Sequence, residues 1–274
     1  MTDRVGIVGG SGFYELLDDA TEHTVDTPFG TPSDVVATGT LAGREVAFLP
    51  RHGRGHTVPP HRVNYRANLW ALREVGVRRL LLPCAVGSLR RDLTPGTFVV
   101  LDQFIDRTWG RPGTYFDGAA PVDHDRPGPV THVSLADPYC PALRGATIGE
   151  LGAMHRPHAP SGTLVVIPGP RFSTRAESRA FADAGGDVIG MTQAPEAQLA
   201  RELAMCVCGI AMVTDHDAGV EGADDAVTHA QVAEVFAANV AHVKDLVTRV
   251  VARVPAAPDA GCRCAAALDG ASLG

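Results

Sequence analysis

Short apolar runs punctuate this chain. They fall at residues 5–8, 45–49, 79–83, 97–101, 163–167, 187–189 and 207–213, are rich in Val, Leu and Ile, and predict buried strands. Between several of them the apolar positions change to helical spacing. Over 62–74 they set Val63, Ala67, Trp70 and Leu72 mostly toward one side, and further helices are expected over 174–184 and 196–205. Toward the C-terminus, Val232, Val235, Phe236, Val240, Val243, Leu246, Val247 and Val250 line one face of a long amphipathic helix over 226–254. Strands that alternate with helices imply an α/β fold with much parallel pairing. Past Pro255 the periodicity stops in a run of Ala, Gly, Pro and Asp. The expectation is one domain over residues 1–255 and a flexible tail over 256–274.

Composition narrows the function classes. At 274 residues, 45% hydrophobic and 20% charged, the chain is long enough for a large single core. Lys and Arg number 24 against 31 Asp and Glu, a net charge of −7, and no basic run tracks a phosphate backbone. That argues against a nucleic acid polymer as partner. The N-terminus enters a strand almost at once, without the apolar stretch of a secretion signal, and no segment reaches the roughly 20 apolar residues of a membrane span. A cytoplasmic location without membrane contact is expected, with the six cysteines as thiols.

Candidate chemistry concentrates in three islands near the carboxyl ends of predicted strands, where α/β proteins place ligands. GPRFSTRAE opens on a Gly-Pro turn and offers an aromatic face at Phe172 and a hydroxyl at Ser173. MTQAPEAQLARE places Met191 and Thr192 just before a helix whose first turn is marked by Pro195 and Glu196. TDHD brings Asp215 and Asp217 to the end of an apolar strand. Two loops offer anion chemistry. The glycines of Gly6-Ile-Val-Gly-Gly-Ser-Gly12 lack the spacing of a dinucleotide fingerprint, and with Ser11 they form either a tight turn or an anion cradle. Arg51-His-Gly-Arg-Gly-His56 reads as a phosphate site, with a solvated basic loop as the alternative. A metal reading for His52, His56 and His61 is weaker, since no cysteine or carboxylate accompanies them at ligand spacing.

With these islands in view, the chain resembles the 5′-deoxy-5′-methylthioadenosine phosphorylases of the trimeric purine nucleoside phosphorylase superfamily. GGSG, FLPRHGRGHTVPPHRVNYRANLWAL, GSLRRDLTPGTFVVLDQFIDRT, ADPYCP, GPRFSTRAES and MTQAPEAQLARE carry the resemblance, in that family's order, through most of residues 4–254. It implies a nucleoside phosphorylase fold, a central mixed sheet flanked by helices, assembled as a homotrimer. The implied reaction is phosphorolysis of methylthioadenosine to adenine and methylthioribose 1-phosphate, with inorganic phosphate as co-substrate and no metal or organic cofactor. Ser11, Arg51, His52, Cys84, Ala85 and Thr192 match the phosphate site. Phe172 matches the residue packing on the purine, Met191 the one under the ribose, and His132 the one reaching the 5′ end from a neighbouring subunit. Ser173, Asp215 and Asp217 match the base site, and His229 and Val232 lie toward the 5′ group.

The acid pair has a chemical reason. Breaking a purine N-glycosidic bond builds positive charge on the ribose and negative charge on the base. A protonated Asp215 would donate to N7, its pKa raised by burial and by Asp217, while an Asp217 carboxylate would accept from the 6-amino group. Phosphate held by Arg51 and His52 would act as nucleophile and counter-charge. A hydrolytic nucleosidase would have no use for that anion cradle, a 6-oxopurine phosphorylase would usually carry Glu for Ser173 and Asn for Asp215, and a binding-only module would not need both sites. Three residues depart from the family pattern. Cys84 stands where threonine is frequent, Gly190 where Asn is common, and His229 where methylthio-specific members carry a small apolar residue. His229 therefore either makes the 5′ pocket more polar, tolerating adenosine or another 5′-substituted deoxyadenosine, or simply caps or faces solvent at the start of the C-terminal helix. Cys206 and Cys208 read as small buried hydrophobes. The Cys262-Arg-Cys264 pair has no partner nearby in sequence and is expected to be two free thiols in a mobile tail, with a redox or soft-metal role as the alternative.

Overall fold

The computed structural model describes residues 3–10, 16–118, 121–123, 126–127, 130–220, 228–255 and 262–272. Its framework is one mixed sheet built around β1 (Arg4–Gly9), β4 (Arg44–Pro50), β5 (Val77–Ser88) and β13 (Cys206–His216). β1 pairs in parallel with β4 and β5, and β5 with β13. Beyond β4 the sheet continues antiparallel through β3 (Val36–Leu41) to the edge strand β2 (Asp18–His23). Beyond β13 it continues through β6 (Phe98–Val100), antiparallel, to β10 (His158–Ala159), parallel to β6. A branch leaves the far end of β5, where β12 (Val188–Gly190) pairs antiparallel, followed by β11 (Thr163–Val166) and β7 (Gln103–Asp106) in parallel. A separate short hairpin joins β8 (Pro121–Asp123) and β9 (Arg126–Pro127).

The central strands read as unbroken apolar runs because both faces are covered. On β13, Val207, Ala211 and Val213 enter the layer shared with α1 (Tyr65–Glu74) and α4 (Gln193–Glu202). Alternate residues Cys206, Cys208, Ile210 and Met212 enter the layer shared with α2 (Pro141–Ala153) and α5 (His229–Arg253). That is the two-residue period of a strand read out as two cores.

The helices start where local chemistry dictates. Asn64 caps α1 by accepting from the Ala67 N–H at 3.2 Å. Thr174 and Glu177 form a reciprocal capping box at the start of α3 (Arg175–Asp183). Three-residue 3-10 turns at Arg54–His56 and Pro60–Arg62 shape the basic loop between β4 and α1. No helix among the described residues is long and apolar enough to cross a membrane.

Two expectations for the C-terminus are corrected. Residues 262–272 of the segment expected to be a flexible tail pack on the fold. A 3-10 turn spans Cys264–Ala266, Cys264 is buried, and Ser272 forms an isolated bridge with Thr131. The sulfur atoms of Cys140 and Cys206 reach the pair that sequence separation left without partners. Tertiary contact, invisible to composition, is the cause. The rest of the expected tail, residues 256–261 and 273–274, lies outside the described residues.

Candidate active site

A cavity of about 660 Å³ opens at the carboxyl ends of β1, β4, β5 and β13 and is closed on one side by α5. Its size is that of a small-ligand site. Arg51, His52, Cys84, Ala85, Thr192, Met191, Phe172, Ser173, Asp215, Asp217 and Val232 all line it. One chain thus gathers residues that sequence order scatters over 51–232. Gly190, the position departing from Asn, also lines it. Ser11 lies outside the described residues, though its neighbour Gly10 faces the cavity. The backbone of His229 opens α5, while its side chain is outside what is described. His132 is exposed, away from this cavity, its N–H donating to the Ala271 carbonyl at 2.9 Å.

At one end the two carboxylates are set apart by a bulge. Val213 pairs with Val86 and Asp215 with Gly87, so Thr214 is the extra residue that re-aims the end of β13. Gly87 leaves room opposite the pair. A Cβ there would lie 3.1 Å from the Asp215 carboxylate and 3.4 Å from the Asp217 Cβ. Asp217 is 2% exposed. Its Oδ2 accepts from the Ser173 hydroxyl at 2.6 Å and from Ser178, while its backbone N–H donates to the Ser88 carbonyl. Asp215 has a different setting. Burial pushes its carboxyl up to about 6, the Thr214 hydroxyl 2.7 Å from Oδ1 opposes the shift, and the Asp217 charge adds to it. One acid is thereby fixed as an acceptor, and the other is poised to hold a proton.

The opposite end is less cationic than its residues suggest. Arg51 is 3% exposed, and its guanidinium grips Glu196 through Nε at 2.5 Å and Nη2 at 3.1 Å. It also donates to the Val8 and Pro83 carbonyls, so four of its five N–H groups are committed and one Nη1 N–H remains. His52 donates Nδ1–H to the Val58 carbonyl at 2.8 Å, which leaves Nε2 as an acceptor. Burial first, then Arg51, lowers its pKa to about 4. The ring of His56 stacks on it at 4.3 Å. Burial raises the Cys84 thiol to about 11, so it presents a neutral S–H. Thr192 stands at the N-terminus of α4 without making a side-chain cap, its hydroxyl left for the cavity.

Several supporting residues carried no sequence signal. In the sequence Glu196 marks only a helix start and Ser178 only a helical position. Arg111 donates to the Met191, Ala194 and Pro168 carbonyls and so fixes the loop that carries Met191 and Thr192. Gly169, at φ 65°, lets that loop close in, since a Cβ there would meet the Met191 sulfur at 2.5 Å.

Comparison with known proteins agrees with this geometry. The model of the Phosphorylase superfamily matches residues 4–252. The chain is 54% identical to a purine nucleoside phosphorylase of Streptomyces coelicolor, over 99% of this chain and 96% of that protein. It is 49% identical to an S-methyl-5′-thioadenosine phosphorylase of Thermofilum pendens, over 98% of each. Among solved structures, a methylthioadenosine phosphorylase from Schistosoma mansoni in complex with adenine superposes with a TM-score of 0.86 at 38% identity, covering 94% of this chain and 93% of that one.

Proposed function

This chain belongs to the phosphorylase superfamily, and from that premise we propose that it cleaves S-methyl-5′-thioadenosine with inorganic phosphate, giving adenine and 5-methylthioribose 1-phosphate. The observation that carries the 6-aminopurine reading is the division of labour between the two acids. Asp217, with both serine bonds on Oδ2, accepts from the 6-amino group, and Asp215, its pKa near 6, gives a proton to N7. A 6-oxopurine would set its carbonyl oxygen against a buried carboxylate, an unpaired acceptor contact that costs binding.

The reaction balances without any other participant. A phosphate oxygen forms a bond to C1′ as the C1′–N9 bond breaks, its electron pair passes to the base, and the Asp215 proton neutralises N7. The remaining Arg51 N–H, the Thr192 hydroxyl and the amides beside Cys84 and Ala85 are donors for phosphate, whose own proton can satisfy the His52 Nε2 acceptor. Phe172 packs on the purine, Met191 lies under the ribose, and Val232, with Phe236 beside it, bounds the 5′ end. No metal or organic cofactor takes part. The working assembly in this reading is a homotrimer in the cytoplasm, with His132 of one subunit completing the 5′ end of the next. The support is the exposed stretch around His132, where Val130 is 67% and Leu135 36% exposed.

The test is adenine release from methylthioadenosine, with adenosine and methylthioinosine in parallel, each with and without phosphate. Strictly phosphate-dependent cleavage that favours methylthioadenosine supports the proposal. Comparable turnover of adenosine would move it toward the activity named for the Streptomyces coelicolor relative and bring His229 into the 5′ pocket. Preference for methylthioinosine would overturn the roles of Asp215 and Asp217, and phosphate-independent release would make the protein a hydrolase.

A further inference from the structure

Away from the substrate cavity, at the start of β13 rather than at its end, four cysteines meet. Cys140 immediately precedes α2, Cys206 opens β13, and Cys262 and Cys264 flank the start of the C-terminal 3-10 turn. Their four sulfur atoms all lie within 4.8 Å of one another, with Cys262 3.6 Å from Cys140 and 3.4 Å from Cys206. Three are buried and Cys262 is half-buried. A tetrahedral ion at ~2.3 Å from each sulfur places the sulfurs roughly 3.8 Å apart, and a disulfide needs about 2 Å. The observed sulfur–sulfur separations fit the first. From this geometry we propose that Cys140, Cys206, Cys262 and Cys264 form a tetrathiolate site for a zinc ion that fastens the C-terminal segment to the core.

The surroundings suit such a centre. Four soft sulfur ligands without a carboxylate or imidazole select zinc over harder cations. A zinc ion with four thiolates carries a net charge of −2, and the site supplies positive charge on two sides. Cys140 sits at the amino end of a 13-residue helix. Across the sheet, Arg79 is the register partner of Cys206 and is 3% exposed. One of its terminal nitrogens lies 2.9 Å from Asp3, whereas Nη1 is buried without a hydrogen-bond partner. Arg79, Cys140, Cys206 and Cys262 line one small cavity. An orphaned guanidinium N–H beside clustered sulfurs is what an anionic metal-thiolate centre satisfies. Uptake is redox-neutral: four thiols release four protons to solvent as four zinc–sulfur bonds form.

The site would hold more than itself. The segment it anchors pairs Ser272 with Thr131 and accepts the His132 N–H at Ala271. Metal binding therefore stabilises residues 130–135 from a position remote from the chemistry.

The full-length protein, purified under reducing conditions without chelator, is assayed for metal by mass spectrometry. The wild type should hold about one zinc per chain, and Cys262→Ser/Cys264→Ser close to none, with far-UV circular dichroism unchanged. Cobalt exchanged into the wild type should give the thiolate charge-transfer and tetrahedral d–d bands, lost in the same variant. Hydrogen exchange of residues 130–135 should quicken in the variant and on chelation. If the double variant fails to fold, Cys262→Ala alone carries the same readouts. Zinc absent from the wild type even after reduced protein is offered the metal, or zinc retained unchanged by the variants, overturns the proposal. So does an intact mass short by two hydrogens per cysteine pair in freshly reduced and repurified protein, which would make these residues disulfides.

Discussion

The two ends of the substrate cavity hold their charges in opposite ways. At the base end, like charges are brought together and kept distinct. A bulge sets Asp215 and Asp217 side by side opposite a glycine, two serines donate to one, and burial raises the pKa of the other to about 6. At the phosphate end, the cation is spent inside the protein. Arg51 is neutralised by Glu196, and His52 is held neutral. An empty anion site with an uncompensated buried arginine would carry a large desolvation cost, and the Glu196 partner relieves it. Phosphate is then met by a few directed donors rather than by a pool of positive charge. Charge counted along the sequence therefore overstates one end and understates the specialisation of the other.

The largest effect should come from breaking the buried pair. Arg51→Met leaves the Glu196 carboxylate, 1% exposed, without its partner, at a cost of about 3–5 kcal/mol in denaturant unfolding. Arg51→Met combined with Glu196→Leu removes both charges and should recover most of that stability while the KM for phosphate stays high. Equal stability of the single and double variants would mean that Glu196 does not depend on Arg51.

How much of this was legible follows from where the signal sits. Every strand expected from an apolar run is present, because a strand buried on both faces must be apolar throughout. β2, with the sequence DDATEH, is polar and mostly exposed; it exists because β3 offers an edge, and no local pattern marks it. The helix α2 was missed because Gly145, Gly149 and Gly152 lower its propensity, although Leu143, Thr147, Glu150 and Leu151 do recur on one buried face. In the cavity, residues with distinctive chemistry in short motifs were found. Their partners Glu196, Ser178, Thr214 and Arg111 were not, since such pairings join positions far apart in the chain, or, for Thr214, depend on a bulge. The four-cysteine cluster shows the same limit, with contributions from the residue before α2, from β13 and from the C-terminal segment.

A second way to sharpen the comparison is to remove the proton at the base end. Asp215→Asn keeps the shape and loses the acid, and should lower kcat/KM for methylthioadenosine by about 100-fold or more. In the wild type, the form with Asp215 protonated disappears as pH rises through about 6, so kcat/KM should carry an ionisation there that the variant lacks. A profile with the same ionisation in both proteins would assign it to another group, the phosphate included.

The smallest effect, and the most discriminating, is on the pH dependence of stability. Asp215 has a folded pKa raised to about 6, so its protonated form favours the native state, and stability is lost as pH rises from near 4 through 6. His52 has a folded pKa lowered to about 4, so its neutral form favours the native state, and stability is lost as pH falls from 6.5 through 4. The two slopes oppose each other over nearly the same window, each on the order of 2–3 kcal/mol in total. In the wild type they largely cancel. Relative to wild type, unfolding free energy should rise more steeply with pH between 4 and 6.5 in Asp215→Asn, where only the histidine slope remains, and fall with pH in His52→Asn, where only the carboxyl slope remains. Urea unfolding at half-unit pH intervals reads both. Added phosphate gives the decisive arm, since an anion beside His52 raises its proton affinity and should flatten the histidine slope in Asp215→Asn. A slope in that variant indifferent to phosphate would place the anion away from His52 and remove the imidazole from the phosphate end.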